Sequence, residues 1–233
     1  VRYKAILFDL DNTLLNYSLS ELKSMQGTVE AHGLVHRDTF SWDTFWTLFC
    51  QKNFAYWSDR RKSGYSIHEV LELSFRDTLQ GLDWDHADSK PLAQLYWSTF
   101  CASCEFEAHA KEILTRLYGS YRLAIISNGI GEAQRSRLAA GGVIDLFDTL
   151  TVSDEVGYWK PEREIFDETL KRLQIRPAEA LFIGDSLHDD YNGAINAGID
   201  FCYYNRSGAQ VDPDVRPKYI IDSLLHLDAC LVD

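Results

Sequence analysis

The chain has 233 residues, enough for one sizeable core with a smaller attached module and short for several independent domains. Its 45% hydrophobic and 25% charged composition is that of an ordinary globular protein and excludes a disordered, collagenous or low-complexity chain. The formal net charge of -12 disfavours nucleic acid and anionic membranes as partners, and any phosphate site here needs a local cation, either a metal ion or a placed Lys or Arg.

Ala5–Phe8 is the first of five short apolar runs predicted as buried parallel strands, and it runs directly into Asp9-Leu10-Asp11-Asn12-Thr13. A short apolar run ending in acids reads as a strand, not as a secretory leader. No apolar stretch approaches the ~18 residues that span a bilayer, so the expected protein is soluble and cytoplasmic. From about Asn16 to Cys104 the pattern is helical. Leu19, Leu22, Met25 and Val29 share one helical face; so do Trp42, Phe45, Trp46 and Phe49, and so do Val70, Leu71, Phe75 and Leu79. Leu92, Leu95 and Tyr96 begin another helix. A simple crossover between strands does not need so much chain. Residues 16–104 are therefore predicted as an inserted helical module, with 1–15 and 105–233 forming the sheet domain.

Within the insertion Cys101 and Cys104 form a C-x-x-C, but no second pair or spaced His pair completes a zinc site. The odd total of five cysteines argues against a disulfide scaffold, and the two thiols read as structural and buried. A helix over Ala108–Tyr118, stopped by Gly119, returns to the sheet domain. Strands follow at Leu123–Ser127, Thr149–Val152, Leu181–Ile183 and Phe201–Tyr204, with a weaker sixth at Tyr219–Ile221. Helices are predicted between them over Glu132–Ala140, Pro161–Leu173 and Tyr191–Ala197; Pro161 suits a first turn and Gly198 a stop. Strands alternating with helices predict an α/β fold built on a doubly wound parallel sheet.

Four polar clusters then stand at four strand ends, where such sheets bind ligands. Asp9 and Asp11 lie two apart, which in extended chain puts both carboxylates on one side. Ser127-Asn128-Gly129 offers a hydroxyl, an amide and a backbone that can approach a ligand closely. Lys160 stands at the mouth of a predicted helix, and Gly184-Asp185-Ser186-Leu187-His188-Asp189-Asp190 closes the fourth strand. Each cluster alone has a bland reading: an Asp-rich turn, a solvated lysine, acids favoured at a helix start. Four in succession are poorly explained as accidents.

In this order and spacing the residues resemble the four motifs of the haloacid dehalogenase-like hydrolase superfamily, over Tyr3–Thr13 and roughly 108–204. The inserted helices resemble that family's helical cap. The resemblance implies that Asp9 is a nucleophile and that Asp11 protonates the leaving oxygen and later activates water. It implies that Thr13 fixes the loop around Asp9, and that Ser127, Asn128 and Gly129 with Lys160 hold the phosphate. Mg²⁺ would be held by Asp9, the Asp11 carbonyl and Asp185, with Asp190 acting through a metal-bound water and Asp189 an open alternative. His188 reads as a residue near the helix start, without a metal or base role.

Within that resemblance, Asp11 and the Mg²⁺ ligand Asp185 point to phosphorus chemistry and away from 2-haloacid dehalogenation, which needs no metal and lacks an acid at the position of Asp11. A purely binding role would predict a missing nucleophile or lysine. The expected partner is a small phosphorylated metabolite, and the expected state a monomer or small homo-oligomer. The insertion is rich in aromatics, and Phe54-Ala55-Tyr56-Trp57 followed by Arg60, Arg61 and Lys62 suits a nucleobase. The insertion is expected to close over the site, with Tyr56 and Trp57 as the first platform residues. The whole chain is similar to pyrimidine 5′-nucleotidase-like phosphatases; phosphoglycolate or a sugar phosphate is the alternative substrate.

Overall fold

The computed structural model describes residues 3–85 and 87–231. Ala5–Phe8 (β1) is four apolar residues in a row, all buried, as expected of a parallel strand covered on both faces. It pairs with Arg122–Ser127 (β2) on one side and Ala180–Gly184 (β4) on the other. Thr149–Val152 (β3) extends the sheet beyond β2, and Asp200–Tyr204 (β5) and Tyr219–Ile221 (β6) extend it beyond β4. All six strands are parallel, in the order β3-β2-β1-β4-β5-β6.

The helices are α1 (Tyr17–Ala31), α2 (Trp42–Ser63), α3 (Ile67–Gly81), α4 (Ser89–Ala102), α5 (Ala110–Leu117), α6 (Gly131–Ala140), α7 (Ser153–Val156), α8 (Arg163–Leu173), α9 (Asn192–Ala197) and α10 (Leu227–Leu231). Because strand side chains alternate, the sheet feeds two cores. Ile6, Phe8, Ile125 and Ile183 pack on one face with Ile113 and Leu114 of α5 and Leu138 of α6. Leu7, Ile126 and Phe182 pack on the other with Ile165 and Phe166 of α8 and Ala194 of α9.

The chain forms two compact units, one running up to Leu19 and from Cys104 onward, the other Ser20–Ser103. In the sheet unit, the outgoing and returning segments lie side by side through an antiparallel bridge of Leu15 with Phe106. In the helical unit, the rings of Phe49, Phe75 and Tyr96 meet where α2, α3 and α4 pack. Phe45, Phe49, Phe75 and Tyr96 are buried, so these aromatics are core. Helix α3 starts on a reciprocal cap, in which the Ser66 side chain accepts from the Glu69 amide while Glu69 accepts from the Ser66 amide.

Three local expectations change. Leu19 is exposed, and the buried face of α1 is Ser20, Ser24, Met25, Thr28 and Val29. The hydroxyls of Ser24 and Thr28 donate to carbonyls four residues back, which lets polar residues bury without another partner. Pro161 is not the first helical residue: the Lys160–Pro161 bond is cis, Glu162 N–H turns back to Trp159 O at 2.6 Å, and α8 starts at Arg163. After β4, Leu187–Tyr191 form a π-helical turn ahead of α9, where the sequence pattern begins the helix only at Tyr191. The five cysteines are free thiols; Cys101, Cys202 and Cys230 are buried, whereas Cys50 and Cys104 are half-buried. Among the described residues no helix is long and apolar enough to cross a membrane.

Candidate active site

The strand order reverses between β1 and β4, which opens a crevice beyond their carboxyl ends. Asp9 still belongs to the sheet, its amide donating to Ile183 O at 2.8 Å. Immediately afterwards the chain leaves extended geometry. The amides of Leu14 and Leu15 both return to Leu10 O at 2.9 Å, and Asn12 takes φ 65°. The turn begins at Asn12, just after Asp11, and the two carboxylates take different partners. Asp9 Oδ1 accepts from Lys160 Nζ at 2.5 Å, and the Thr13 hydroxyl lies 3.3 Å from Asp9 Oδ2 and 3.4 Å from Asp185 Oδ1. Asp11 points instead to α6, where Arg137 Nη1 donates to Oδ1 at 2.6 Å and Gln134 Nε2 to Oδ2 at 2.7 Å.

Lys160 is placed by Asn128. The Lys160 amide donates to Asn128 Oδ1 at 2.7 Å, and Asn128 Nδ2 donates to Lys160 O at 2.9 Å. This two-way bond joins the end of β2 to the turn before α8. Its ammonium, buried, also reaches Asp190 Oδ1 at 2.7 Å. Asp190 is nearly inaccessible, and its Oδ2 accepts from the Ser186 amide at 3.0 Å. Gly184 makes room for it, since a Cβ there would sit 2.3 Å from Asp190 Oδ2. Asp189 instead turns outward and pairs with exposed His188 at 2.7 Å.

Carboxylate oxygens of Asp9, Asp185 and Asp190 lie within 4.8 Å of one another. Burial pushes the Asp9 carboxyl well above the usual range; Lys160 opposes this, while Asp190 and Asp185 add to it. Burial and the charge of Asp190 push Asp185 up to about 6. Burial by itself would lower the Lys160 ammonium, but Asp190 and Asp9 more than reverse that and hold it above its usual value. One lysine facing three acids leaves excess negative charge in a buried place. An all-oxygen donor set with that excess fits a hard divalent cation such as Mg²⁺. The carboxylate of Asp11 is not part of this group.

Ser127, at the end of β2, is buried, and its Oγ accepts from Gln134 Nε2 at 2.9 Å. The space beside Gly129 is filled by that same amide, since a Cβ on Gly129 would meet Gln134 Nε2 at 2.4 Å. The Gln134 amide thus packs directly on Gly129, a contact the motif itself does not reveal. Gln134 and fully buried Arg137 are absent from the sequence-derived set because a Gln and an Arg three apart on a helix resemble a solvated face. A signal did exist. Gly131–Ala140 carries few apolar residues, yet it follows a buried strand in an α/β repeat, so the face it buries has to be partly polar.

In the helical unit, Phe54 is 72% exposed. Tyr56 is engaged, its hydroxyl donating to Asp77 at 2.6 Å and its ring set edge-on to Tyr65. The Arg60 guanidinium lies 5.1 Å from the centre of the Trp57 ring. The free stacking surface expected at Tyr56 and Trp57 is therefore smaller than the sequence suggests.

A model of the family described as haloacid dehalogenase-like hydrolase matches residues 6–204. The chain is 27% identical over 231 residues to pyrimidine 5′-nucleotidase PynA of Streptococcus pneumoniae, covering 98% of this chain and 95% of the relative. It is 29% identical over 238 residues to N-acylneuraminate-9-phosphatase of Rattus norvegicus, covering 99% and 94%. The magnesium-bound crystal structure of the putative HAD-hydrolase YfnB from Bacillus subtilis superposes with a TM-score of 0.81 at 26% identity, covering all of both chains. A 2-haloacid dehalogenase from Pseudomonas syringae has a TM-score of 0.71 at 22% identity over 98% of both chains, a likeness of fold alone.

Proposed function

The chain belongs to the haloacid dehalogenase-like hydrolase family, and from that membership we propose that it is a Mg²⁺-dependent phosphoric monoester hydrolase working through an aspartyl-phosphate on Asp9. The observation that carries this reading is the separation of two neighbouring carboxylates. Asp9 lies against Lys160 among the acids, whereas Asp11, two residues on, is held by Arg137 and Gln134. That separation suits a division of labour between a nucleophile and a proton carrier.

In the first step an Asp9 carboxylate oxygen attacks phosphorus, the bond from phosphorus to the ester oxygen breaks, and Asp11 gives that oxygen its proton. In the second step water attacks the phosphorus of the acyl-phosphate, the bond to Asp9 breaks, and Asp11 takes the water proton. Lys160 offsets negative charge on Asp9 and on the transferring phosphoryl group. Ser127 and the Asn128-Gly129 backbone hold phosphoryl oxygens, and Thr13 keeps the Asp9 loop in place. Mg²⁺ held by Asp9, the Asp11 carbonyl and Asp185, with Asp190 beside them, would supply the positive charge on which the phosphoryl oxygens rest.

The proposed substrate is a small phosphorylated metabolite, a nucleoside 5′-monophosphate first, supported by the full-length likeness to PynA. A sugar phosphate is the second reading, supported by the equally full likeness to N-acylneuraminate-9-phosphatase; phosphoglycolate stands beside it. Dehalogenation is disfavoured by the second carboxylate at Asp11 and by the acid cluster. The test is hydrolysis of a phosphorylated-metabolite panel by the purified protein with Mg²⁺, with 2-haloacids as a metal-free arm. Release of orthophosphate from nucleotides above all other compounds supports the full reading. Halide release without metal, and no phosphate release, overturns it.

A further inference from the structure

Gln134 is fixed from three sides. Arginine can only donate, so the Gln134 atom 3.1 Å from Arg137 Nη1 has to be the oxygen. The nitrogen then faces Asp11 Oδ2 at 2.7 Å, an acceptor, and Ser127 Oγ at 2.9 Å. Both amide hydrogens are used, and the amide cannot flip without setting N–H against guanidinium. All these groups are buried apart from Asp11, and the amide sits against Gly129, where a Cβ would meet its nitrogen at 2.4 Å. A serine hydroxyl has one proton and two lone pairs. Because its oxygen accepts from Gln134, its single proton is left to donate elsewhere.

We propose that Gln134 and Arg137 form a positioning relay in which Arg137 fixes the Gln134 amide and that amide makes the Ser127 hydroxyl a donor to a bound phosphoryl oxygen. This rests on the phosphatase reading of the site. Neither residue touches substrate; both act through Ser127, while Gln134 and Arg137 also hold the rotamer of Asp11. An acceptor in place of the Gln134 nitrogen would capture the serine proton and leave only lone pairs facing the phosphate.

The experiment is a double-mutant cycle read by orthophosphate inhibition of Mg²⁺-dependent p-nitrophenyl phosphate hydrolysis. Gln134→Glu, and Gln134→Met in case a buried acid there prevents folding, are each made with Ser127 intact and with Ser127→Ala, with melting checked. With Ser127 intact, each is expected to weaken orthophosphate binding roughly tenfold or more, the scale of a lost hydrogen bond to a charged group. With Ser127→Ala, Gln134→Met is expected to cost less than about twofold, because the hydroxyl it acts through is gone, and Gln134→Glu is expected to cost clearly less than with Ser127 intact, keeping only the repulsion of its charge. The turnover number also depends on Asp11, which the same amide holds, so inhibitor binding is the deciding readout. Equal losses in both backgrounds, or unchanged orthophosphate binding in Gln134→Met, overturn the relay and leave the phosphatase reading standing. A wild type that neither hydrolyses aryl phosphate nor binds orthophosphate removes that reading, and the relay with it.

Discussion

Lys160 meets the buried carboxylates of Asp9 and Asp190 with one charge, and Asp185 stands close by. Asp9→Asn removes the proposed nucleophile but keeps its shape and relieves part of that repulsion. Turnover of an aryl phosphate is expected to fall roughly a thousandfold or more. The metal-free melting temperature at pH 7 should stay the same or rise, because the carboxylate it replaces is held above its usual range. Near-normal turnover in this variant rules out the covalent mechanism. The raised acids also set a pH dependence. Asp185, pushed up to about 6, is protonated in the metal-free protein below that value, and protons then compete with the cation. The Mg²⁺ concentration for half-maximal activity should therefore rise as pH falls through about 6; a flat dependence between pH 7.5 and 5.5 contradicts it. Stability carries the matching sign. A folded pKa above the unfolded value of ~4 contributes stability that is complete below ~4 and lost as pH rises through the folded value. The metal-free protein thus loses this contribution by pH 7, and Mg²⁺ should raise the melting temperature more at pH 7.5 than at pH 5.

At the scale of elements, two short segments bring the site together. The turn before α8 carries Lys160 and is clamped by Asn128 from the end of β2. The π-helical turn after β4 carries Asp190 inward only because Gly184 has no side chain. Gly184→Ala should force Asp190 off Lys160 and raise the Mg²⁺ requirement about tenfold or more, the usual cost of disturbing groups that orient metal ligands. Activity titrations with Mg²⁺ read this directly, and an unchanged requirement counts against the placement of Asp190. The α3 cap provides the contrast. Ser66→Ala removes one side of a two-way cap and should cost about 1 kcal/mol of stability, with kcat/KM on aryl phosphate unaltered. Chemical denaturation and steady-state kinetics on one preparation test both halves.

The whole molecule is acidic, and its candidate site concentrates that acidity where water is scarce. Exhaustive chelation should abolish phosphatase activity, and Mg²⁺ alone among added components should restore it. Mg²⁺ at about a hundred times its Kd should stabilise the native state by roughly 2.7 kcal/mol, a melting shift of roughly 5–10 °C for a chain of this size. Full activity after chelation, or a melting temperature indifferent to Mg²⁺, argues against a resident cation.

The strands, most helices and the four polar clusters are legible in the sequence because each depends on its own neighbours. Ala5–Phe8 is apolar because both of its faces are covered, and Asp9 follows it directly. Parallel order and strand ends then bring Asp9, Lys160, Asp185 and Asp190 together by rules that hold for any doubly wound sheet. Folding alone sets the outcome where one residue's role depends on another far along the chain. Asp11 is bound by Gln134 and Arg137, not by the partners of Asp9, because Leu10–Leu15 close into a turn and α6 supplies donors more than a hundred residues away. Gln134 and Arg137 look like surface residues in isolation and become interior ones because α6 packs on the sheet with Asp11 and Ser127 beneath it. The choice of Asp190 over Asp189 is of the same kind: the two are adjacent acids in the sequence, and the π-helical turn sends one to Lys160 and the other to solvent. Local pattern fixes which elements form; the directions of long side chains follow from packing, because buried donors and acceptors have to find partners and the fold alone determines which lie within reach.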